Sequence, residues 1–449
     1  MSIKNRKGVF LPYDPKLERK LTLREKNIMG NFLVYKLFKR VKSGEKEFIK
    51  VPRMFEPKRH EKKIKVLNKK KDHHINIKLS NNQEVVLRQV FDLFKDEVYR
   101  GGASCVLQLE PGKGKTFIAL SAINKLSLHT LIVVHNTNML MQWKEKLISS
   151  GCDPGVFYSN EKNIKPVTIA IIHTLVKQDQ TFFKNFDFCV LDECHLFLSE
   201  VWRSFLFKHV FPYTLGLTAT PPDSHEIKRK IMNFFLGPII VGENLEGYEN
   251  ETTEFKGQII KLNYRGTPQN TLPIINEKTG KIDFSRLLSN VLQDPYRINL
   301  VALWAKQLYE EGFDTYIFSD RIQHLAEIKE KIIEYVDPSH ISMVTGGDKD
   351  VFHKIEGKKI ILTTYQFMGT GVSVNRMNAS ILASPRKKNC KQYIDRIFRL
   401  GSDQNVVRKI VDIVDSKTCL KTQWYARKKE YDKKKYEIEE IKQSFSDFL

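Results

Sequence analysis

The chain has 449 residues, and its 74 Lys and Arg against 52 Asp and Glu give a formal net charge of +22. That excess favours polyanionic partners, nucleic acid first among the soluble ones, although a basic, well-solvated surface is the plainer reading of the same numbers. The length suggests two or three domains, no run is apolar enough to span a bilayer, and the six cysteines (Cys105, Cys152, Cys189, Cys194, Cys390, Cys419) form no Cys-x-x-Cys pair, which argues against a membrane protein, a zinc ribbon and a disulfide framework.

Residues 1–76 are dense in cations (Lys58, Arg59, Lys62, Lys63, Lys65, Lys69, Lys70, Lys71), with short apolar clusters at 32–35 and 48–52. These clusters predict short strands and a small β-rich accessory domain. His73-His74 has no cysteine or second histidine pair nearby, so it reads as a solvated loop rather than a metal site. The first residues lack the apolar core of a secretory signal, so a cytoplasmic location is expected.

Residues 77–236 alternate apolar runs with helical patterns, the signature of a parallel sheet covered by helices. Strands are predicted at 105–109, 131–135, 167–172, 188–192 and 213–218, each followed by a polar cluster. Open α/β sheets hold their ligands at that end of the strands. Residues 237–290 are loop-rich, and a second α/β block follows, with strands at 315–319, 341–345, 359–364, 379–383 and 406–414. The linker and second block occupy 237–420. The basic tail, 421–449, reads as one exposed helix or a partly ordered end.

The first of these strands runs into Glu110-Pro111-Gly112-Lys113-Gly114-Lys115-Thr116, where a helical pattern begins. Physically this is a P-loop. The glycines let backbone N–H groups wrap a triphosphate, Lys115 reaches the β- and γ-phosphates, and the Thr116 hydroxyl ligates Mg²⁺. The strict pattern has glycine where Leu109 stands, and the alternative is a chance turn rich in glycine and lysine. Asp192-Glu193-Cys194-His195 ends a later strand. An aspartate at a strand end beside a P-loop holds Mg²⁺, and the next glutamate can take a proton from the attacking water.

With these motifs in place, the chain resembles superfamily 2 helicases and translocases of the DExH type, over residues 80 to 420. Asn81-Asn82-Gln83 resembles the adenine-sensing glutamine motif, with Ser80 where an arginine is common. Residues 110–116 resemble motif I, 133–143 motif Ia, 172–174 motif Ib, 192–195 motif II and Thr218-Ala219-Thr220-Pro221 motif III. In the second block, 318–320 resemble motif IV, Thr363-Thr364 through Gly371-Val372-Ser373 motif V, and 392–399 motif VI, with Asp395 where the family usually has glycine. Short features, including Thr-Ala-Thr-Pro-Pro and Asp294-Pro-Tyr-Arg297, resemble the excision-repair and transcription branch. The runs at 20–24 and 51–55 resemble helicases of large cytoplasmic DNA viruses, of the poxvirus transcript-release type.

The resemblance implies two RecA-like domains with ATP and Mg²⁺ in their cleft. It implies binding by Gln83, Pro111, Gly112, Lys113, Gly114, Lys115, Thr116, Asp192 and Gly371, with Thr116 and Asp192 on the metal. The implied catalytic set is Glu193, Lys115, Gln392, Arg396 and Arg399, the arginines stabilising charge on the transferring phosphoryl group. His195, Thr218 and Thr220 would couple hydrolysis to strand movement. Asn136, Thr137, Thr174 and Thr364 would grip the nucleic-acid backbone. The expected activity is ATP-dependent helicase or translocase action, on DNA rather than RNA, in transcription or repair. An RNA helicase and a remodelling translocase that separates no strands are the alternatives. Transcription or replication machinery would be the protein partner, no membrane is involved, and a viral factory or virion is the location if the viral resemblance holds. The basic region 1–76 is the candidate for substrate choice or partner docking.

Overall fold

The computed structural model describes residues 3–26, 31–55, 64–68, 71–98, 103–223, 226–249, 256–277, 279–346, 348, 351–368, 374, 376–387, 390–398, 405–444 and 446. The chain divides into two compact units, 1–251 and 252–449.

The first unit opens with strands β1 (Ile3–Asn5), β2 (Gly8–Pro12), β3 (Thr22–Lys26), β4 (Phe32–Lys36), β5 (Lys39–Ser43) and β6 (Lys46–Val51). Four of them form an antiparallel sheet in the order β1-β2-β6-β5, and β3 and β4 form a separate antiparallel ribbon. The apolar clusters at 32–35 and 48–52 fall on β4 and β6, as their composition predicts.

The main sheet of this unit contains β7 (Ala103–Gln108), β8 (Thr130–Val134), β9 (Gly155–Tyr158), β10 (Glu161–Lys162), β11 (Val167–Ile171), β12 (Phe188–Leu191), β13 (Tyr213–Thr218) and β14 (Ile239–Val241). Their order is β10-β9-β11-β8-β12-β13-β7-β14, all parallel except the β9–β10 hairpin. Strands β8, β11 and β12 are buried along their whole length, which is why they read as unbroken apolar runs.

The amino-terminal region shares its core with this sheet. Val9, Leu21, Leu37, Ile49, Val51 and Phe55 pack in one cluster with Val106, Leu131, Val133 and Leu191. Arg53 donates to Thr214 Oγ1 at 2.8 Å and to the Ala103 carbonyl, and the Phe55 ring meets Phe234 edge-on at 5.1 Å. The buried Asp187 carboxylate accepts from the backbone N–H of Leu67 (2.9 Å) and Asn68 (3.0 Å) and from the Asn68 amide (2.7 Å), and it pairs with Arg6. The described residues of 1–76 therefore contribute to the folded core of the first unit. His73 is buried, with Nε2 at 2.8 Å from the Leu128 carbonyl, where the sequence reads as a solvated loop. The basic positions 58, 59, 62, 63, 69 and 70 lie outside the described residues.

The second unit holds a fully parallel sheet of β15 (Gly257–Arg265), β16 (Thr315–Ser319), β17 (Ile341–Val344), β18 (Ile360–Thr364), β19 (Ala379–Leu382), β20 (Arg408–Asp415) and β21 (Glu437–Ser444), in the order β17-β18-β16-β19-β20-β15-β21. Two of these strands lie where none was predicted. Strand β15 falls in the stretch read as loop-rich. The tail, read as one exposed helix or a partly ordered end, is a helix (Trp424–Lys433) followed by the edge strand β21. The charges of β21 (Glu437, Glu439, Glu440, Lys442) hide it in the sequence and suit an exposed sheet edge. No helix among the described residues is long and apolar enough to cross a membrane.

Candidate nucleotide site and its coupling residues

Strand β7 delivers the loop 109–114, and the helix Lys115–Leu126 begins directly after it. Gly112 (φ 83°) and Gly114 (φ 84°) are both left-handed, a conformation that costs glycine little and turns successive N–H groups toward one point. The Lys115 ammonium lies within the loop, donating to the carbonyls of Leu109 (2.9 Å) and Glu110 (3.2 Å). Thr116 sits in the first helical turn, where backbone N–H groups and the helix field favour an anion.

The departure at Leu109 has a physical compensation. Its side chain is 1% exposed and fills the space beside Gly242, where any Cβ would collide with it. Gly242 follows β14, so the far end of the unit makes room for the non-standard residue. Its neighbour Glu243 accepts from the Glu110 N–H at 3.0 Å, tying that segment to the loop.

Gln83 begins the helix Asn81–Val98 and lies against the same loop. Its Nε2 donates to the Lys113 carbonyl at 3.5 Å, and a Cβ on Gly114 would strike its amide. The glutamine motif and motif I are thus packed together.

Asp192 and Glu193 follow β12, two strands from β7. The Asp192 carboxyl is pushed up to about 6, chiefly by burial and then by the adjacent Glu193 charge, while the Trp143 indole and Lys115 act in the opposite direction. Trp143 Nε1 donates to Asp192 Oδ2 at 2.8 Å, and the Glu193 N–H donates to Oδ1 at 3.0 Å. Glu193 itself is held at φ 49°, an unusual conformation for a non-glycine residue at a turn that aims its carboxylate. Two crowded, partly buried carboxylates, with the proton affinity of Asp192 raised, beside a phosphate-type cradle, are the donor set expected for a divalent cation and a nucleotide. The residues present fit both.

Beside this centre a hydrogen-bonded chain runs from His195 to the end of β13. His195 Nδ1 lies 2.9 Å from Thr218 Oγ1 and 3.4 Å from Glu193 Oε2, and Thr218 Oγ1 accepts from the Thr220 N–H at 3.1 Å. Burial pushes the imidazole down to about 4, so it is neutral at pH 7 and can act as donor or acceptor by tautomer. His195, Thr218 and Thr220 are therefore hydrogen-bonded into one unit joining the ends of β12 and β13, with the Glu193 carboxylate close beside the imidazole.

The remaining sequence-derived residues are distributed as follows. Asn136 caps the helix Thr137–Ser149 by accepting from the Met139 N–H at 3.0 Å, so its Oδ1 is engaged, and Thr137 is exposed beside it. Thr174 lies on the short helix after β11. In the second unit, Thr364 ends β18 and accepts from the Phe367 N–H at 3.2 Å, and Gln392 and Arg396 lie on consecutive helical turns. Gly371 and Arg399 lie outside the described residues.

Sequence reading missed Trp143 as the partner of Asp192, and it missed Glu243 and Lys434. Lys434, from the tail, pairs with Asp395 and stands 5.6 Å over the Phe398 ring, which itself stacks on Tyr436 at 4.5 Å. The substitution of aspartate for the family's glycine is thus matched by a cation from the carboxyl-terminal segment.

Residues 76–223 match the family described as type III restriction enzyme, res subunit. The African swine fever virus protein QP509L, provisionally named an ATP-dependent RNA helicase, is 33% identical over 363 residues, covering 74% of this chain and 69% of that one. A Sulfurisphaera tokodaii protein named DNA 3'-5' translocase XPB2 is 30% identical over 142 residues, 31% of this chain and 32% of that one. Among solved structures, S. cerevisiae Dbp5 bound to RNA and ADP BeF3 is similar in fold, with a TM-score of 0.51, 13% identity, and coverage of 82% of this chain and 95% of that one.

Proposed function

The chain belongs to the superfamily 2 helicases and translocases, and we propose that it is a DNA-dependent ATPase that moves along a strand in transcription (elongation or transcript release) or repair. Enzymes of this family are nucleic-acid-stimulated ATPases. The observation that carries the reading is the hydrogen-bonded chain from His195 to Thr218 and Thr220, which joins motif II, with Glu193 Oε2 3.4 Å from the same imidazole nitrogen, to motif III. DNA is favoured by the relative named a DNA 3'-5' translocase.

ATP, with Mg²⁺, supplies the transferable phosphoryl group when bound. The backbone of Pro111, Gly112, Lys113 and Gly114 cradles its phosphates, Lys115 neutralises their charge, and Gln83 is assigned to the adenine. Thr116 and Asp192 hold the metal. Glu193 orients water and accepts its proton, with the neutral His195 imidazole 3.4 Å from its carboxylate. In the second unit, Gln392 and Arg396 are assigned to the charge that develops on the phosphoryl group. Arg399 and Gly371 have the same assignment by motif alone. Asn136, Thr137, Thr174 and Thr364 are assigned to backbone grip, which should be largely sequence-independent and weaken with salt.

The test is ATPase stimulation by single-stranded DNA, duplex DNA and RNA of matched sequence. Stimulation by DNA is expected, and stimulation by RNA alone would overturn the DNA assignment. That second outcome is the RNA-helicase reading, favoured by the name of QP509L. ATP-driven displacement of a bound protein with no unwinding of a forked duplex would favour remodelling.

A further inference from the structure

The ribbon of β3 and β4 presents two chemically different faces. In its antiparallel register, Leu23 faces Tyr35 and Glu25 faces Leu33, while Thr22, Arg24 and Lys26 face Lys36, Val34 and Phe32. Directly opposed residues share a face, and faces alternate along each strand. The inner face is anchored: Leu23 and Tyr35 pack on the core of the first unit, and the Tyr35 hydroxyl donates to Glu25 at 2.9 Å.

The outer face carries Arg24, Lys26, Phe32, Val34 and Lys36, all exposed. Phe32 is 64% exposed and Val34 49%. Leu33, although on the inner face, is 48% exposed, so the outer half of the ribbon stands clear of the core. Among the described residues this face holds three cations, two apolar side chains and no carboxylate. Glu18, whose charge interacts with Lys36, is itself held by Arg40, with one contact at 2.8 Å.

We propose that the outer face of the β3–β4 ribbon is a docking surface for single-stranded DNA, with Phe32 stacking on a base and Arg24, Lys26 and Lys36 on flanking phosphates. The proposal rests on the DNA-translocase reading and extends it to a second contact region, in the amino-terminal part of the first unit. Charge complementarity supports this occupant: an open aromatic ring, Phe32, opposite Lys26 and on the same face as Arg24 and Lys36, is an arrangement that holds single strands, the ring taking the base and the cations the backbone. Cations two residues apart on a strand stand about 6.8 Å apart and project the same way, so they can follow one backbone. An acidic protein surface would use the cations, but it would leave the solvated Phe32 without a role.

The experiment is equilibrium binding of the full chain to a fluorescein-labelled single-stranded DNA of about 16 nucleotides, read by anisotropy across a salt series. Phe32→Ala should weaken binding roughly 5- to 150-fold, the usual cost of losing one stacked base, and Phe32→Trp should retain it. Arg24→Ser, Lys26→Ser and Lys36→Ser combined should lower the slope of log affinity against log salt by about 2. A thermal melt of each variant checks folding, and the Trp variant keeps the test valid if the alanine variant is unstable. Wild type that binds DNA, with all variants binding equally well, would overturn the ribbon assignment and leave the translocase reading intact. So would losses confined to an RNA oligomer. Wild type that fails to bind any nucleic acid would overturn the translocase reading itself.

Discussion

Replacing Asp187 by alanine should unfold the first unit at a much lower temperature. The carboxylate is fully buried and takes two backbone N–H groups, an amide N–H and the Arg6 guanidinium, which also donates to the carbonyls of Lys65 (2.8 Å) and Phe186 (3.0 Å) and lies 3.5 Å from His209 Nε2. Its removal leaves these donors and one charge poorly satisfied, at a cost of about 3–5 kcal/mol. In a unit of this size each kcal/mol moves the melting temperature by roughly 2–4 °C, so a fall of about 6–20 °C is expected. Calorimetry of wild type, Asp187→Ala, Arg6→Met and the double variant is the assay, and the double variant should cost less than the sum of the singles. ATP binding should be lost in the same transition, because the amino-terminal strands and the nucleotide loop share one core. A shift below about 2 °C, or strictly additive effects, would refute this reasoning and make residues 1–76 an independent appendage.

Four further outcomes follow from the geometry. Thr218→Val removes the oxygen that meets His195 and Thr220, and it should lower DNA unwound per ATP by about 10-fold while hydrolysis falls less, measured by paired unwinding and phosphate-release assays. Trp143→Phe deletes the N–H bonded to Asp192 and should raise the Mg²⁺ concentration needed for half-maximal ATPase several-fold, by about one hydrogen bond's worth of affinity. Lys434→Met removes the cation paired with Asp395, next to Arg396; kcat should fall by about 10-fold or more with KM for ATP little changed, and an unchanged kcat would remove Lys434 from the mechanism. In the second unit, burial pushes His324 down to about 3, below its ordinary 6.5. The unfolded chain then binds the proton first, so this group's stability is fully present above pH 6.5 and is lost as pH falls toward 3. The loss should reach about 2 kcal/mol by pH 5, seen as a lower urea midpoint, and His324→Gln should flatten it.

The central strands of both sheets were legible because strands buried on both faces are continuous apolar runs, as at 131–134 and 360–363. The chemistry at their ends was legible for a related reason: Gly112, Gly114, Lys115 and the Asp192-Glu193 pair act through local backbone geometry that a short motif encodes. What stayed hidden depends on pairing at long range. Strand β21 has too few apolar residues to announce itself, and only its eight-residue register with β15 makes it a strand. Trp143 with Asp192, Glu243 with Glu110 and Lys434 with Asp395 are each contacts between distant segments with no local signature. Asp187 has no local signature in the sequence, and only the fold reveals that it fastens the amino-terminal region in place. Leu109 read as a blemish in the P-loop, and only Gly242 explains why it is tolerated.

The most direct test of the central claim is steady-state ATPase of wild type and Glu193→Gln, each without nucleic acid and with single-stranded DNA, in Mg²⁺ and after chelation. The account predicts DNA-stimulated hydrolysis that needs the metal and is lost in the variant, while ATP binding by the variant persists. Hydrolysis indifferent to DNA, or undiminished by Glu193→Gln, would contradict it.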